Sequence, residues 1–273
     1  MDKTSKWLIV TVSLGDAKFK LAEDRIRTQI DGFAPFFDLI VVNNSNLATF
    51  APRTVENYCH LLRNDVPGYG FWIWKAEICF EMLKICEISG YEGLIYLDVG
   101  CDLYSSCISK KVLKLLLGLA KKREAIIFTS GGTDLQYSKR YLAQEIKAEM
   151  SHLKSKQIAA TWFIITPTNS QSLIAEWMDL CLSNESLLNL DHVEPTVNLD
   201  GFVAHRSDQS VFSLITKRRR IKPIPLLDYS GRNMKFHFFR KQFHPIWTSR
   251  NLSDVKLDRS WIKSKEGENL HDQ

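Results

Sequence analysis

Two aspartates placed four residues apart are the first side chains in this sequence with a clear potential for chemistry. Asp98 directly follows the apolar run Leu-Ile-Tyr-Leu at 94–97, and Asp102 comes after Val-Gly-Cys. A short apolar run bounded by glycine and aspartate is typical of a strand buried on both faces of a parallel sheet, and ligands bind beyond the carboxyl ends of such strands. Two carboxylates there could hold Mg²⁺ or Mn²⁺ against the phosphates of a substrate. The alternative is that Asp98 caps a turn and Asp102 is solvated.

Aromatic residues are concentrated beside two glycines in the segment 67–75, Pro-Gly-Tyr-Gly-Phe-Trp-Ile-Trp-Lys. Gly68 and Gly70 permit a tight loop, the rings could stack on a base or a sugar, and Lys75 could meet a phosphate. The alternative is a hydrophobic anchor for the start of the next helix, with most of the rings in the core. Lys75 fits that alternative least well, because the charge of a lysine resists burial.

A carboxylate and an amide stand side by side in the segment 205–212, His-Arg-Ser-Asp-Gln-Ser-Val-Phe. Ser207 or Asp208 would serve as the N-cap of a helix. Asp208 and Gln209 could equally be presented to the hydroxyl groups of a sugar from that helix start. The sequence pattern leaves these two interpretations open.

Histidines and cations recur among aromatic residues near the end of the sequence, at 237–247. Either histidine, His237 or His244, could complete a metal site or touch a diphosphate, and Arg240 and Lys241 could offset the charge of that diphosphate. The alternative is that each histidine is simply packed or exposed at the surface.

The elements that must position these side chains alternate between strands and helices. Strands are predicted at 7–12, 39–42, 94–97, 125–128 and 161–166, and helices at 24–30, 74–88, 110–121, 138–155, 170–183 and 209–217. This alternation predicts an α/β fold in which helices flank a mainly parallel central sheet. Because no linker or repeat interrupts the pattern, we expect one domain over 1–262, followed by a disordered tail at 263–273.

Composition and charge fit a folded globular protein and narrow the classes of partner. The 273 residues are 45% hydrophobic and 25% charged, with a net charge of +5, which suits an anionic ligand but is too mild to indicate nucleic acid. The densest basic cluster, at 217–222, predicts a solvated helix end or a peripheral membrane contact. The six cysteines lack zinc-like spacing, and neither a signal-peptide core nor a membrane span is visible. These features predict a cytoplasmic protein, or one bound at the inner face of a membrane.

Three segments of the chain, taken together, resemble a known protein family. They are 68–75, 96–102 and 205–214, with further similar stretches at 159–164 and 176–177. In this order and spacing they resemble the bacterial polysaccharide glycosyltransferases, of the capsule and O-antigen type, that have the A-type nucleotide-sugar fold (GT-A). The resemblance covers residues 7 to about 245. It implies a single-domain Rossmann-like sheet, a nucleoside diphosphate sugar as donor, and a divalent cation, Mn²⁺ or Mg²⁺.

The sequence departs from the family pattern at two positions. The usual metal signature of this fold is Asp-any-Asp, but the third position here is Gly100, so that the second acid must be Asp102 or come from elsewhere. The family often has proline after the Trp-Lys pair, where this chain has Ala76. The first departure concerns the geometry of the metal site, and the second concerns only how the helix begins.

The resemblance also implies roles for individual residues in transferring a sugar to a glycan or lipid-linked glycan acceptor during surface polysaccharide synthesis. Asp98, Asp102 and His237 would hold the cation, Asp208 would bind sugar hydroxyls or activate the acceptor, and Gln209 would orient the sugar. The residues expected to contact the nucleotide sugar are Thr11, Ser13, Tyr69, Trp74, Lys75, Asp98 and His205, and Trp162 is expected to form part of the acceptor wall. Two alternatives remain: a non-catalytic relative that binds nucleotides or glycans, and a sugar nucleotidyltransferase.

Overall fold

The computed structural model describes residues 6–33, 36–189, 197–224 and 245–248. The strands are β1 (Trp7–Ser13), β2 (Phe37–Asn43), β3 (Leu94–Leu97), β4 (Asp102–Leu103), β5 (Thr129–Thr133), β6 (Lys156–Ile158), β7 (Trp162–Ile165) and β8 (Ile246–Trp247). The helices are α1 (Ala17–Ile30), α2 (Leu47–Phe50), α3 (Pro52–Tyr58), α4 (Gly68–Phe71), α5 (Trp74–Ser89), α6 (Cys107–Ala120), α7 (Asp134–Tyr137), α8 (Arg140–Glu145), α9 (Met150–Lys154), α10 (Pro167–Ser183) and α11 (Ser207–Arg218). His237, Arg240, Lys241, His244 and the predicted tail at 263–273 lie outside the described residues.

The central sheet contains four strands in the order β2-β1-β3-β7. β1 pairs in parallel with β2 along its whole length and with β3 from Leu8 to Val10, whereas β7 is antiparallel to β3. Every residue of β1, β3 and β7 is buried, as expected of strands that helices cover on both faces. The predicted α/β fold with a mainly parallel central sheet flanked by helices is therefore confirmed.

The two faces of β1 belong to two different layers of the core. Leu8, Val10 and Val12 pack in the layer that contains helices α5 and α10. Trp7 and Ile9 pack in the opposite layer, with helices α1 and α6. This division follows from the two-residue period of a strand, whose successive side chains point to opposite faces. The same alternation decides which side chains of β1 can reach a ligand at the end of the strand.

Most of the predicted helices are confirmed, but the long one predicted at 138–155 is wrong. This segment instead forms the short helices α8 and α9. Lys147, which lies between them, has a positive φ of 56°. A left-handed residue cannot continue a right-handed helix, and Lys147 therefore separates the two.

The strand predicted at 125–128 is also wrong. Ile126 and Phe128 make only isolated bridges, to Ile164 and Ile224 respectively. The regular pairing begins one residue later, in β5, which runs antiparallel to β6. Sequence patterning missed β5 because its residues, Thr-Ser-Gly-Gly-Thr, include two glycines, a residue type depleted in strands.

Among the described residues, no helix combines the length and apolar character that crossing a membrane requires.

Candidate active site

A cleft of about 1060 Å³ lies at the carboxyl ends of β1 and β3. Its walls come from residues just after β1, from 64–75, from 98–101 just after β3, from β5, from 159–161 and from 205–209. The cleft therefore occupies the position at which open α/β sheets bind their ligands. All three segments that carry the family resemblance contribute to its walls.

One wall of the cleft contains an unusual left-handed turn. φ is positive at five successive residues, Gly68 to Trp72, and three of these residues are aromatic. A left-handed conformation costs roughly 1–2 kcal/mol for each residue that has a Cβ atom, so that glycine at two of the five positions limits the total strain. A Cβ atom on Gly68 would lie 2.2 Å from the Trp72 ring. Gly68 is thus required both by its backbone conformation and by the ring packed against it.

Trp74 holds this left-handed turn in place. Its indole Nε1–H lies 3.2 Å from the carbonyl oxygen of Gly68 and 3.1 Å from that of Tyr69, and it donates to both. The ring of Tyr69 lies against Gly15, just after β1. Tyr69 and Trp74 both line the cleft, but the indole N–H of Trp74 donates to the protein's own backbone. The aromatic residues therefore form a fixed wall, and they also pack on the core, where Phe71 and Trp74 are buried, as the alternative predicted.

Lys75 joins the three segments of the resemblance in one buried cluster. Its Nζ lies 3.2 Å from Asp98 Oδ1 and 2.8 Å from Asp208 Oδ2, and 5.3 Å from the centre of the Tyr96 ring. The Tyr96 hydroxyl donates to Asp98 Oδ1 at 2.9 Å. Lys75 is only 2% exposed and Asp208 only 4%. The ammonium group therefore lies between the two carboxylates that face the cleft.

The protonation states of this cluster follow from burial and from the short distances. Burial alone would lower the pKa of Lys75, but attraction to Asp208 and Asp98 outweighs burial and the pKa is raised. Burial raises the pKa of Asp208 to about 6, against the opposing attraction of Lys75. Burial, followed by the charge of Asp98, raises the pKa of Tyr96. At neutral pH the cluster thus contains an ammonium and a carboxylate at Asp208 that is poised to accept a proton.

Asp208 reaches Lys75 because of how helix α11 begins. The helix N-cap is Arg206, which makes no side-chain capping bond, and Ser207 has a positive φ of 38°. Asp208 therefore lies in the first helical turn, where the helix dipole favours a negative charge, and its carboxylate points to Lys75. The prediction that Ser207 or Asp208 is the N-cap is wrong.

A network of amides fixes the neighbouring side of the cleft. Gln209 Nε2 donates to Gln157 Oε1 at 2.7 Å, and Arg206 donates to the same oxygen at 3.0 Å. The guanidinium of Arg206 lies over the Tyr137 ring at 3.5 Å, and Gln157 donates in turn to buried Asp134. Gln209 is therefore held in one orientation at the cleft wall.

Two residues of the site, Tyr96 and Arg206, were not predicted, although the sequence around each of them indicates a place at the site. Tyr96 precedes Asp98 by two positions, which places both on the same side of an extended chain. Arg206 belongs to the segment 205–212, in which only its neighbours were considered. Gln157 left no such signal, since it comes from β6, a strand that sequence patterning did not predict.

Asp102 does not face the cleft. Its carboxylate lies 3.0 Å from Arg25 Nε in a buried ion pair, and it accepts from Gln29 Nε2 at 2.8 Å. Arg25 also donates to the carbonyl oxygens of Val99 and Cys101, at 2.8 and 2.9 Å. Asp102 therefore fastens the loop after β3 to helix α1, and the structure does not support its predicted role as a metal ligand.

Replacing Asp102 with asparagine should lower the free energy of unfolding by about 1–3 kcal/mol, the usual cost of losing a charged partner in a buried hydrogen bond. Asparagine keeps the shape and one acceptor oxygen for Gln29, so the fold should persist. Nucleotide affinity, measured on the same protein with and without Mn²⁺, should stay at the parent value. A loss of Mn²⁺-dependent nucleotide binding with unchanged stability would instead restore the metal role of Asp102.

The described residues do not form a divalent-cation site. Among them, no group of three histidine, cysteine, aspartate or glutamate side chains is placed to hold a metal ion. Asp98 faces the cleft, but its Oδ1 is already bonded to Lys75 and Tyr96. The remaining predicted ligand, His237, lies outside the described residues. The predicted Mn²⁺ or Mg²⁺ site is thus not reproduced by this part of the chain.

Three other predicted contacts do not reach the cleft. Thr11 is fully buried within β1, and neither it nor Ser13 lines the cleft, because both point to the face opposite Val12. Trp162 is 1% exposed and stacks on Phe128 with ring centres 3.9 Å apart. It belongs to the core, and its predicted place in an acceptor wall is wrong.

His205 lines the cleft, but both of its ring nitrogens are occupied. Nε2 lies 2.7 Å from the carbonyl oxygen of Leu187, and Nδ1 accepts from the backbone N–H of Lys139 at 3.4 Å. Burial lowers the pKa of His205 to about 4, so that the ring is neutral at neutral pH. These two hydrogen bonds connect His205 to Leu187 and Lys139, so that its ring stabilises the cleft wall.

Comparison with known proteins gives structural likeness without sequence likeness. No protein-family model and no curated protein matches the chain. Among solved structures, mouse xyloside xylosyltransferase 1 in its apo form has a TM-score of 0.46 and 11% identity, with 92% of this chain and 100% of that chain covered. The glycosyltransferase GlyE of Streptococcus pneumoniae TIGR4, also in its apo form, has a TM-score of 0.42 and 14% identity, and the match spans 94% of this chain but only 56% of that one.

A third similar structure is that of the galactosyltransferase LgtC, solved with donor and acceptor sugar analogues. Its TM-score is 0.40 and its identity 9%, with 94% of this chain and 99% of that chain covered. At these identities the likeness concerns the fold alone. The α/β fold of this chain is established by its own strands and helices.

Proposed function

We propose that this protein is a glycosyltransferase that moves a sugar from a nucleoside diphosphate sugar to a hydroxyl group of a glycan or lipid-linked glycan. The observation that carries the proposal is the cluster around Lys75. Its ammonium contacts Asp98 and Asp208, and thereby unites at one cleft the three separate segments that resemble polysaccharide glycosyltransferases. A carboxylate with a raised pKa in such a cleft is a typical feature of an active site.

The proposed reaction uses Asp208 as general base. Its carboxylate takes the proton of the acceptor hydroxyl, the acceptor oxygen bonds to the anomeric carbon of the donor, and the bond from that carbon to the diphosphate oxygen breaks. The electron pair leaves with the nucleoside diphosphate. Lys75 holds Asp208 in place, and its positive charge keeps the carboxylate ionised at neutral pH. Gln209 orients the sugar beside it.

The nucleotide is placed at the end of the cleft formed by the residues after β1 and by the left-handed turn. Tyr69 supplies an aromatic face there and Lys18 an exposed cation. Stacking on an aromatic ring does not require a particular base. We therefore propose that the wall made by Tyr69 and Trp74 bounds the nucleoside, while Asp98 and Asp208 face the transferred sugar.

The other parts of the functional prediction extend this proposal. They are the role in surface polysaccharide synthesis, the cytoplasmic location, and the use of Mn²⁺ or Mg²⁺. The described residues alone do not form a cation site, and the use of a cation is therefore tested directly in the experiment that follows.

A thermal-shift panel of UDP, GDP, CDP and dTDP, each with and without Mn²⁺, tests the proposal. A ligand at 100 times its dissociation constant stabilises the native state by about 2.7 kcal/mol, which raises Tm by roughly 5–10 °C for a chain of this size. We expect one nucleoside diphosphate to give such a shift and the corresponding monophosphate, as control, to give less. No shift with any nucleotide would favour the non-catalytic glycan-binding alternative.

A shift that requires Mn²⁺ would show that residues beyond those described complete a cation site. A shift that is the same without Mn²⁺ would show that the charges of the chain suffice. Either result would support nucleotide binding, and the two differ only in the role of the cation.

A further inference from the structure

Helix α6 and the three residues after it form a second basic segment of the chain, longer than the cluster at 217–222. The segment 107–123 contains six cations, at positions 110, 111, 114, 121, 122 and 123, and no acidic residue. The net charge of the whole protein is only +5. More positive charge is therefore concentrated in this one segment than the protein carries overall.

The structure turns these cations to one side of the helix. The opposite side is buried, through Ser109, Leu113, Leu116 and Ala120, and packs in the layer below the central sheet. The outer face, which we define by the exposed residues of 107–122, consists of Cys107, Ile108, Lys110, Lys111, Lys114, Leu115, Gly118, Lys121 and Lys122. This arrangement is a basic amphipathic helix whose polar face points to solvent.

Few of the charges on the outer face are neutralised by the protein. Lys121 forms an ion pair with Glu92 at 2.9 Å, and Lys110 lies 6.0 Å from the centre of the Phe33 ring. Lys111, Lys114 and Lys122 have no carboxylate within ion-pair distance in the part of the chain that the structure describes. These three cations are therefore available to an anionic partner.

The basic cluster predicted to touch a membrane, at 217–222, is different in this respect. Lys217 is bonded to buried Asp134, Arg218 to Glu176, and Arg219 to both Glu124 and Glu176. Only Arg220 and Lys222 of the cluster remain exposed and without an ion pair among the described residues. Most of its charge is thus used to hold helix α11 against its neighbours.

We infer that the outer face of α6 docks on the surface of a bilayer that contains anionic lipids. Two large apolar side chains lie along one edge of that face, Ile108 at 37% and Leu115 at 65% exposure, and lysines 111 and 122 lie next to them. Apolar groups that enter the headgroup region beside cations that pair with lipid phosphates are typical of interfacial helices. A nucleic acid would use the cations but not the exposed leucine and isoleucine. The inference does not depend on the proposed transferase activity.

Vesicle binding by the full chain tests this inference. The probes are vesicles of phosphatidylcholine containing phosphatidylglycerol, and vesicles of phosphatidylcholine alone, with bound protein measured by sedimentation. The test variant is Lys111→Glu with Lys114→Glu. The matched control is Arg220→Glu with Lys222→Glu, which changes the net charge by the same amount. All four residues are exposed, so that Tm should stay at the parent value in both variants.

We expect the parent to bind only the anionic vesicles, and less strongly at high salt. Each cation removed near such a surface should weaken binding roughly fivefold, so the α6 variant should bind on the order of 25-fold more weakly or worse, while the control stays near the parent. Leu115→Ser should also weaken binding, whereas Ile88→Ser, at a site 86% exposed on helix α5, should not.

Three outcomes would overturn the inference. The first is that the parent fails to bind anionic vesicles. The second is that both charge-reversal variants lose binding equally, which would indicate that binding depends only on net charge. The third is that the α6 cations prove necessary for binding duplex DNA or RNA but not for binding vesicles. None of these outcomes bears on nucleotide binding at the cleft, so a failure here is distinguishable from a failure of the proposed function.

Discussion

Replacing Asp208 with asparagine should lower kcat for sugar transfer by about 10²–10⁴-fold, the typical contribution of general-base assistance. Asparagine has the same shape but cannot take up the proton of the acceptor hydroxyl. The affinity for the nucleoside diphosphate should change little, because we propose that the nucleotide binds against Tyr69 and the residues after β1 rather than against Asp208. The measurement is steady-state transfer with the donor selected by the nucleotide panel, together with the nucleotide dissociation constant.

The pH profile of the same reaction distinguishes a general-base role of Asp208 from a purely structural one. Since burial raises the pKa of Asp208 to about 6, the carboxylate is ionised above that pH and protonated below it. Activity of the parent should therefore fall as pH decreases through about 6, and the residual activity of Asp208→Asn should lack this limb. Asp24→Asn is the matched control, since Asp24 is exposed, does not line the cleft and pairs with Lys20. If Asp208→Asn keeps the parent kcat, the role as base is wrong.

Replacing Lys75 with methionine should lower the free energy of unfolding by about 3–5 kcal/mol at neutral pH, because it removes one partner of a buried ion pair and leaves charges uncompensated. Methionine keeps much of the side-chain volume, so the loss should come mainly from the two carboxylates, at Asp98 and Asp208. Urea unfolding of the purified protein measures it. The double variant, Lys75→Met with Asp208→Asn, should recover part of the lost stability, since one of the two uncompensated carboxylates is then absent.

The dependence of this loss on pH has a definite sign. Without the ammonium, the pKa of Asp208 rises further above that of the unfolded chain, so the folded state binds more protons between the two pKa values. The destabilisation relative to the parent should therefore be largest at neutral pH, and should decrease as pH falls through the raised pKa of the variant toward about 6, below which Asp208 is protonated in both proteins. Lys84→Met in the same helix, at an exposed lysine paired with Glu81, should cost no more than about 1 kcal/mol. Equal losses in the two variants would contradict the coupling at Lys75.

Several elements of the fold could be predicted because their signals are local. The apolar runs at 7–12 and 94–97 specify strands that are buried on both faces, and the periodic pattern at 74–88 specifies a helix. The segments 68–75, 96–102 and 205–214 also named the main candidates for the site, through their resemblance to the polysaccharide glycosyltransferases. Lys75, Asp98 and Asp208 do meet in the cleft.

The predictions that were wrong concern side chains whose role depends on the direction in which they point rather than on their residue type. The sequence shows two acids four residues apart, but only the tertiary structure shows that Asp98 faces the cleft while Asp102 turns to Arg25, 77 residues earlier in the chain. Strand alternation sends Thr11 and Trp162 away from the cleft, although their neighbours line it.

The sequence by itself thus determined the fold class, the order of the main strands and helices, and the residue types that meet at the carboxyl edge of the sheet. The tertiary structure alone decided which carboxylates share the ammonium of Lys75 and which cations remain unpaired at the surface. The physical reason is that the charge state of a buried or exposed group depends on its nearest partners in space. In this protein those partners come from elements far apart in the chain.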